Sequence, residues 1–145
     1  YNFYEETLTN LNDGVKVERE FDIYRSPLII YNPKIKSETI TKSVSSLDLL
    51  PTISNLMGIK YDSRLMMGTD IFSTSDPLVI FKDHSFITPL GKYNVITKTF
   101  IYNPGVQEDD AYVKRMIDLV NAKFYYSQKF LEKDYYKIID EALIK

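Results

Sequence analysis

The chain has 145 residues, of which 44% are hydrophobic and 26% are charged, and its formal net charge at pH 7 is −2. A chain of this size and composition can form one globular domain with a sizeable core. The charge balance gives no electrostatic support for binding to nucleic acid or to an anionic membrane, so we expect no nucleic-acid partner. The sequence has no run of about 18 apolar residues and therefore predicts no membrane span.

The sequence contains no cysteine. Disulfides and thiolate metal sites are therefore excluded within it. This composition fits a cytosolic protein or a bacterial extracytoplasmic protein that does without disulfides, and it does not separate the two. The sequence starts at Tyr1 and shows no signal peptide, so we expect a soluble fragment of a longer protein whose ends carry no targeting information.

The N-terminal part is expected to contain one short helix and one buried strand. Residues 4–11 favour a helix, and residues 12–14 are a turn signal. Residues 27–32 form a continuous apolar run, which is typical of a strand covered on both faces. The rest of the chain supplies few neighbours for such a strand. We therefore expect its edges to be exposed, and the chain to self-associate or to be disordered over residues 1–40.

The best-formed local motif lies at residues 45–59. Asp48 is a good N-cap because its carboxylate can accept from free N–H groups of the first turn. Pro51 falls in that turn, where a missing N–H costs nothing. Gly58 is the natural C′ residue because it can adopt a left-handed conformation. Apolar residues at helical spacing predict a face that docks on a sheet: Leu49, Ile53, Leu56 and Met57.

Beyond this helix, the sequence predicts a loop over residues 60–75 and then a small antiparallel meander. Short β-branched and aromatic runs, separated by Pro and Gly turns, predict the strands. These runs are residues 78–81, 86–88, 92–96 and 98–102.

Two helices are predicted at the C-terminal end. The acidic residues 108–110 favour the start of a long helix that runs to about Glu132. Its apolar stripe consists of Val113, Met116, Ile117, Val120, Phe124 and Leu131. Asp134 is a candidate cap for a further short helix, whose inward residues are Ile138, Ile139, Ala142 and Leu143.

Four segments together resemble one family: residues 27–31, 46–59, 62–73 and 81–88. The Asp48-Leu49-x-Pro51-Thr52 helix is shared widely among sulfatases. The sequence Met-Met-Gly-Thr-Asp-Ile-Phe at residues 66–72 narrows the match to one branch of these proteins, the lipoteichoic acid synthases. The chain is thus similar to the C-terminal third of the lipoteichoic acid synthases and related sulfatase-like phosphoglycerol transferases, within the alkaline phosphatase superfamily. The long helix with an acidic start is also similar to the family's ending.

The resemblance implies an α/β fold class. The chain would be the C-terminal portion of an alkaline phosphatase/sulfatase-like fold, with a buried strand, a capped helix, a small antiparallel sheet and a long C-terminal helix. Residues 1–75 would end the large α/β domain, and residues 76–145 would form the small sheet and the C-terminal helices. The parent enzyme would be tethered by transmembrane helices, with its catalytic domain at the extracellular face of a bacterial cell membrane.

The family uses a threonine nucleophile and a divalent cation, usually Mn²⁺ or Mg²⁺, and its last metal ligands lie in a Gly-Asp-His motif before the segment that opens this chain. The resemblance therefore implies no catalytic, cofactor-binding or metal-binding residue in this chain. We expect the isolated chain to be inactive and to buttress the rest of the parent catalytic domain. The parent's substrate would be a glycerophospholipid or a sulfate ester. The alternatives are a sulfatase or phosphodiester hydrolase of the same superfamily, and a non-catalytic binding or scaffold module.

Several polar residues resemble site residues, but the sequence predicts structural roles for them. Asp83-His84 follows an apolar run as a metal-binding Asp-His pair would, but Lys82 stands where the family has glycine, so a solvated turn is predicted. The loop acids lack the EF-hand pattern and are predicted to cap turns: Asp62, Asp70 and Asp76. Asp48 is expected to act as a cap rather than as a catalytic acid.

Other side chains are also predicted to be structural. The tyrosine pairs 125–126 and 135–136 are expected to pack against the sheet rather than to form a sugar-binding or membrane-interface surface. Lys82, Lys92 and Lys98 are expected on a solvated sheet face. Ser45 and Ser46 have no base at a recognisable spacing, which disfavours a nucleophilic role.

Overall fold

The computed structural model describes residues 19–22 and 24–143. The helix predicted at residues 4–11 and the turn at residues 12–14 lie outside these residues. The chain divides into two compact units, residues 1–39 and 40–145. The predicted division of the family's domains at residues 75 and 76 stays a prediction.

In the first unit, helix α1 (Arg19–Asp22) precedes an exposed segment without regular structure. Ile29 is 84% exposed and Tyr31 is 86% exposed. The prediction of a buried strand at residues 27–32 is therefore wrong for this chain. A strand is stabilised by hydrogen-bonded neighbours, and the sheet formed by the described residues does not include this segment.

The second unit contains the predicted capped helix with a different start. A 3₁₀ turn (Ser46–Asp48) leads directly into helix α2 (Leu49–Leu56). Ser45 has extended dihedral angles and stands before the first turn, whereas Asp48 already has helical dihedral angles. Asp48 therefore stands at the N-cap position of α2, as predicted, but its carboxylate makes no capping bond to the first turn of α2.

The end of α2 is as predicted. Gly58 has a φ of +68°. Its N–H donates to the carbonyl of Asn55 at 3.0 Å, and the N–H of Ile59 donates to the carbonyl of Ser54 at 2.8 Å. This pair of bonds defines a Schellman ending, which requires the left-handed conformation that glycine adopts without steric cost.

The predicted meander is confirmed as a sheet in the order β1-β2-β3-β4, with antiparallel neighbours. Its strands are β1 (Val79–Ile80), β2 (Phe86–Thr88), β3 (Gly91–Asn94) and β4 (Thr99–Tyr102). The register places one residue from each strand in a row across one face, and this row is Ile80, Phe86, Tyr93 and Phe100.

Helix α3 (Asp110–Glu132) packs on that face of the sheet. Asp109 caps its start, since its Oδ1 accepts from the N–H of Tyr112 at 2.8 Å. The core contains Phe86 and Val120, which are 0% and 1% exposed. The predicted stripe of α3 is confirmed up to Phe124, but Leu131 is 75% exposed.

Helix α4 (Tyr135–Leu143) follows a turn at Asp134, which has a φ of +46°. Ile138 is 52% exposed, so its predicted inward position is wrong. The side chains of Ala142 and Leu143 lie outside the described residues. Taken together, the small antiparallel sheet and the long C-terminal helix confirm the predicted α/β class. The described helices include none with the length and apolar character needed to cross a membrane.

Candidate functional site

The two motifs that carry the resemblance, helix α2 and the loop at residues 62–73, are joined by one buried carboxylate. Asp48 is 8% exposed. Its Oδ2 accepts from the backbone N–H and the hydroxyl of Ser45, at 2.7 and 3.1 Å. Its Oδ1 accepts from the N–H of Thr69 at 2.7 Å. The same side chain therefore fixes the start of the helical stretch and anchors the loop against it.

The polar side of α2 makes further bonds to this loop. The Thr52 hydroxyl, which is fully buried, donates to the carbonyl of Asp48 at 2.5 Å and accepts from the N–H of Ile71 at 3.1 Å. The Asn55 amide donates to Asp70 at 2.7 Å. These bonds set the rotation of α2 about its own axis relative to the loop.

The loop backbone passes very close to the start of the helical stretch at Gly68. A Cβ added to this residue would lie 2.0 Å from the carbonyl oxygen of Leu47 and 2.7 Å from the nitrogen of Asp48. A side chain of any size would force the two segments apart. Gly68 in the Met-Met-Gly-Thr segment is therefore explained by main-chain packing.

The C-terminal helices hold the loop from its other side. The Lys123 amino group on α3 donates to the carbonyl of Met67 at 2.7 Å. Burial lowers the pKa of this amino group, and the charge of Asp48 acts in the opposite direction. The Tyr136 hydroxyl on α4 donates to the carbonyl of Leu65 at 3.2 Å. The loop thus receives bonds from three helices.

This arrangement turns the apolar side of α2 away from the loop. Leu50, Ile53 and Met57 are 63%, 44% and 69% exposed, whereas the polar Thr52 and Ser54 are buried. The prediction that the apolar face docks on the sheet is wrong within this chain. It fails because hydrogen bonds to the loop fix the polar side inward, while α3 covers the face of the sheet.

Two of the loop acids act as predicted, in turns. Asp62 accepts from the N–H of Arg64 at 3.0 Å and from its guanidinium group at 2.6 Å. Asp70 accepts from the N–H of Phe72 at 3.1 Å. The capping role of Asp76 stays a prediction.

We expect Arg64→Gln to return the pKa of Asp62 toward its ordinary 3.8. The side-chain hydrogen bond from Arg64, followed by the backbone bond, lowers this pKa to about 2. Because the folded-state pKa is depressed, the stabilising effect is present above the unfolded-state pKa and is lost as the pH falls toward 2. An NMR pH titration of the Asp62 carboxyl carbon measures the change. Lys114→Gln is the control and should leave this titration unmoved; an unchanged midpoint in Arg64→Gln contradicts the assignment.

His84 lies in the turn between β1 and β2, where its N–H donates to the carbonyl of Phe81 at 3.0 Å. Its ring stacks on Phe124 with centroids 3.9 Å apart and planes inclined by 4°. Its Nδ1 lies within hydrogen-bonding distance of Oδ1 of Asn121, at 2.8 Å. The predicted turn is therefore confirmed, with Lys82 and Asp83 exposed and a φ of +72° at His84. The His84 ring in addition joins this turn to α3.

The described residues contain no group of three or more His, Cys, Asp or Glu side chains placed to hold a metal ion. The prediction that this chain holds no catalytic, cofactor-binding or metal-binding residue stays a prediction.

The tyrosine pairs differ from one another. Tyr125 and Tyr126 are 56% and 58% exposed, so the prediction that they pack against the sheet is wrong. Tyr135 instead stacks on Phe130 at a centroid distance of 5.0 Å. Lys82 and Lys98 are exposed, as predicted.

The geometry so far defines an α/β chain in which a helix–loop unit is backed by a small sheet and a long helix. Over 115 residues the chain is 33% identical to lipoteichoic acid synthase 2 of Bacillus subtilis (strain 168), a match that covers 77% of this chain and 17% of that protein. Over 71 residues it is 37% identical to lipoteichoic acid synthase of Staphylococcus saprophyticus, covering 48% of this chain and 10% of that protein. The predicted resemblance to the lipoteichoic acid synthases is thereby confirmed.

Two further comparisons give no match. No family model matches the chain. No solved structure matches it. The chain spans less than a fifth of the length of either curated relative, since the matched shares are 17% and 10%.

Proposed function

We propose that this chain is the C-terminal part of the catalytic domain of a phosphoglycerol transferase of the lipoteichoic acid synthesis type, and that its own contribution is structural. The observation that carries the proposal is the 33% identity to a lipoteichoic acid synthase over 115 residues. The partly buried hydrogen bond between Asp48 and Thr69 supports it, because this bond links two of the segments on which the resemblance rests.

In this proposal the parent is anchored in a bacterial membrane and acts on its extracellular side. A threonine nucleophile and the ligands of a Mn²⁺ or Mg²⁺ ion lie in another part of the parent. The described residues do not offer a donor set for such an ion. The bound metal would stabilise negative charge on the transferred phosphoryl group. No step of the reaction is assigned to a residue of this chain.

The chain's own residues would supply a rigid support for that domain. Asp48, Thr52 and Lys123 use buried or partly buried hydrogen bonds to hold the loop between α2 and α3. Buried polar networks of this kind, when every member is bonded, favour one conformation over alternatives. The described residues contain no buried side-chain nitrogen or oxygen without a hydrogen-bond partner.

Activity assays on two proteins test the proposal: this isolated chain, and the full polypeptide encoded by its gene. Each is incubated with Mn²⁺ and a fluorescent glycerophospholipid, and release of the neutral lipid is measured. We expect turnover by the full polypeptide that is lost on chelation, and no turnover by the isolated chain.

The other outcomes identify the alternatives. Metal-dependent turnover by the isolated chain contradicts the structural role. Hydrolysis of a sulfate ester by the full polypeptide, without transfer from the lipid, identifies a sulfatase. Absence of turnover with either substrate favours a binding or scaffold module.

A further inference from the structure

Strand β4 is an open edge of the sheet within the described part of the chain. It pairs with β3 on one side, and the sheet order places no described strand on the other. The N–H of Asn103 donates to the carbonyl of Leu90 at 2.8 Å, which continues this pairing. Because bonded and non-bonded pairs alternate along an antiparallel ladder, Ile101 directs its backbone groups to β3. The N–H and C=O groups of Phe100 and Tyr102 therefore point outward, away from β3.

The chain after β4 turns back over the sheet instead of running along this edge. The side-chain amide of Asn103 donates to the carbonyl of Pro89, in the turn between β2 and β3, at 2.8 Å. The Phe100 ring also leans toward β3, since its Cε1 would lie 2.6 Å from a Cβ added to Gly91. Both contacts are on the β3 side of β4, and the outward side stays accessible to a further strand.

The sequence of β4 lacks the features by which proteins block an exposed edge. Its residues, Thr-Phe-Ile-Tyr, include no charge and no proline, and all four types favour strands. The other edge strand, β1, has only two residues, with Pro77 shortly before it and Lys82 shortly after it. Short length, proline and lysine are common protections of a sheet edge. The two edges therefore differ, and β4 is the one suited to accept a further strand.

We propose that β4 pairs with β4 of a second copy, antiparallel about a two-fold axis at Ile101, in this chain and in its parent polypeptide alike. This register places Phe100 opposite Tyr102 of the second copy, and the reverse. Their outward N–H and C=O groups are then all paired, in about four hydrogen bonds. An axis at Phe100 would place Tyr102 opposite Lys98, whose φ of +55° is not that of a strand. An axis at Tyr102 would place Phe100 opposite Pro104, which has no N–H.

A second copy suits this edge because β4 is complementary to itself. On one face of the joined sheet, Phe100 and Tyr102 form two aromatic cross-strand pairs, which stabilise antiparallel strands. On the other face Ile101, which is 54% exposed, meets its own counterpart. A two-fold contact closes after two copies, so the expected product is a dimer. The proposal does not rest on the proposed function, and the self-association expected from residues 27–32 would use a different segment.

Disulfide trapping tests the position of the axis, because the chain contains no cysteine of its own. Ile101 would face its counterpart in a non-hydrogen-bonded pair, where the Cα atoms are about 4.5 Å apart, a distance that a disulfide can bridge. Ile101→Cys should therefore form a symmetric disulfide under mild oxidation. Ile96→Cys is the matched control, since Ile96 is 75% exposed in the turn before β4. Ile29→Cys, at a position that is 84% exposed, reports on residues 27–32.

We expect Ile101→Cys to cross-link about tenfold faster than Ile96→Cys and Ile29→Cys, because pairing raises the effective concentration of its thiols. The rates are measured in the isolated chain and in the full polypeptide, with any other cysteines of the polypeptide replaced by serine. Equal rates for the three variants overturn the proposal, and so does fastest cross-linking of Ile29→Cys. Trapping that occurs only in the isolated chain also overturns it, because another part of the parent then covers β4.

A charge on the axis separates pairing from folding. Ile101→Lys places two like charges opposite each other in the dimer, which destabilises the pair, whereas in a single copy this side chain is open to water. Light scattering should show a dimer for the unsubstituted chain and for Ile96→Lys, and a monomer for Ile101→Lys. The urea midpoint of Ile101→Lys, measured in dilute solution, should stay close to that of the unsubstituted chain. A dimer that persists in Ile101→Lys overturns the proposal, as does an unsubstituted chain that is monomeric at every concentration.

Discussion

Replacing Asp48 by alanine should lower the free energy of unfolding of this chain by about 3 kcal/mol. The carboxylate is 8% exposed and accepts from the N–H groups of Ser45 and Thr69, both at 2.7 Å. Alanine removes the acceptor and leaves two donors without a partner between α2 and the loop. An unsatisfied buried donor costs about 1–3 kcal/mol, and bonds to charged groups are at the stronger end of the range.

Urea unfolding followed by far-UV circular dichroism measures this loss, with tyrosine fluorescence as a second probe because the chain has no tryptophan. Asp118→Ala is the matched control. Asp118 makes an exposed i,i+4 ion pair with Lys114, so its removal should change stability by less than about 0.5 kcal/mol.

A milder variant identifies the cause of the loss. Asp48→Asn keeps one acceptor oxygen and should lose about half as much stability as Asp48→Ala. A loss for Asp48→Ala no larger than that of the control would mean that the hydrogen bonds between α2 and the loop are unimportant.

The elements whose signals are local can be predicted from the sequence. Gly58 marked the end of α2, and the acidic residues before Tyr112 marked the start of α3, because each acts within one turn of the helix it terminates. The meander followed from short β-branched and aromatic runs separated by turns. Each of these signals depends only on residues close in sequence, so the sequence of this chain is enough to recognise it.

The errors occurred where a distant residue decides the outcome. Local sequence predicts that Asp48 caps its own helix, but one of its oxygens accepts from the N–H of Thr69, which is 21 residues away. That bond and the Thr52 bond to Ile71 set the rotation of α2, and helical spacing alone does not contain this information. Residues 27–32 were predicted as a strand from composition, which cannot supply the neighbouring strand that pairing requires.

The candidate site shows the same difference between local signals, which the sequence contains, and contacts between residues distant in sequence, which it does not. The family motif identified α2 and residues 66–72, but it gave no indication that Lys123 would reach the carbonyl of Met67. A lysine on the predicted long helix, 56 residues from its acceptor, has no sequence signal for such a contact. The half-buried position of Lys123 results from the packing of α3 on the sheet.

Replacing Phe86 by alanine should have the largest effect of any single truncation in the second unit, about 3–5 kcal/mol. Phe86 is 0% exposed and lies in the aromatic row of the sheet, with ring centroids 5.1 Å from Tyr93 and 6.3 Å from Phe100. Ile101→Ala is the control, because successive residues of a strand face opposite sides and Ile101 is 54% exposed. It should cost less than about 1 kcal/mol.

Amide hydrogen exchange at Thr69 shows how far this effect extends. α3 contacts Phe86 through the core and also carries Lys123, which holds the loop at Met67. If the sheet, α3 and the α2–loop contact unfold together, Phe86→Ala should speed exchange of the Thr69 amide by the same factor as it speeds exchange in β2. Fast exchange in β2 with unchanged protection at Thr69 would contradict this, because Asp48 would then hold the loop without help from the core.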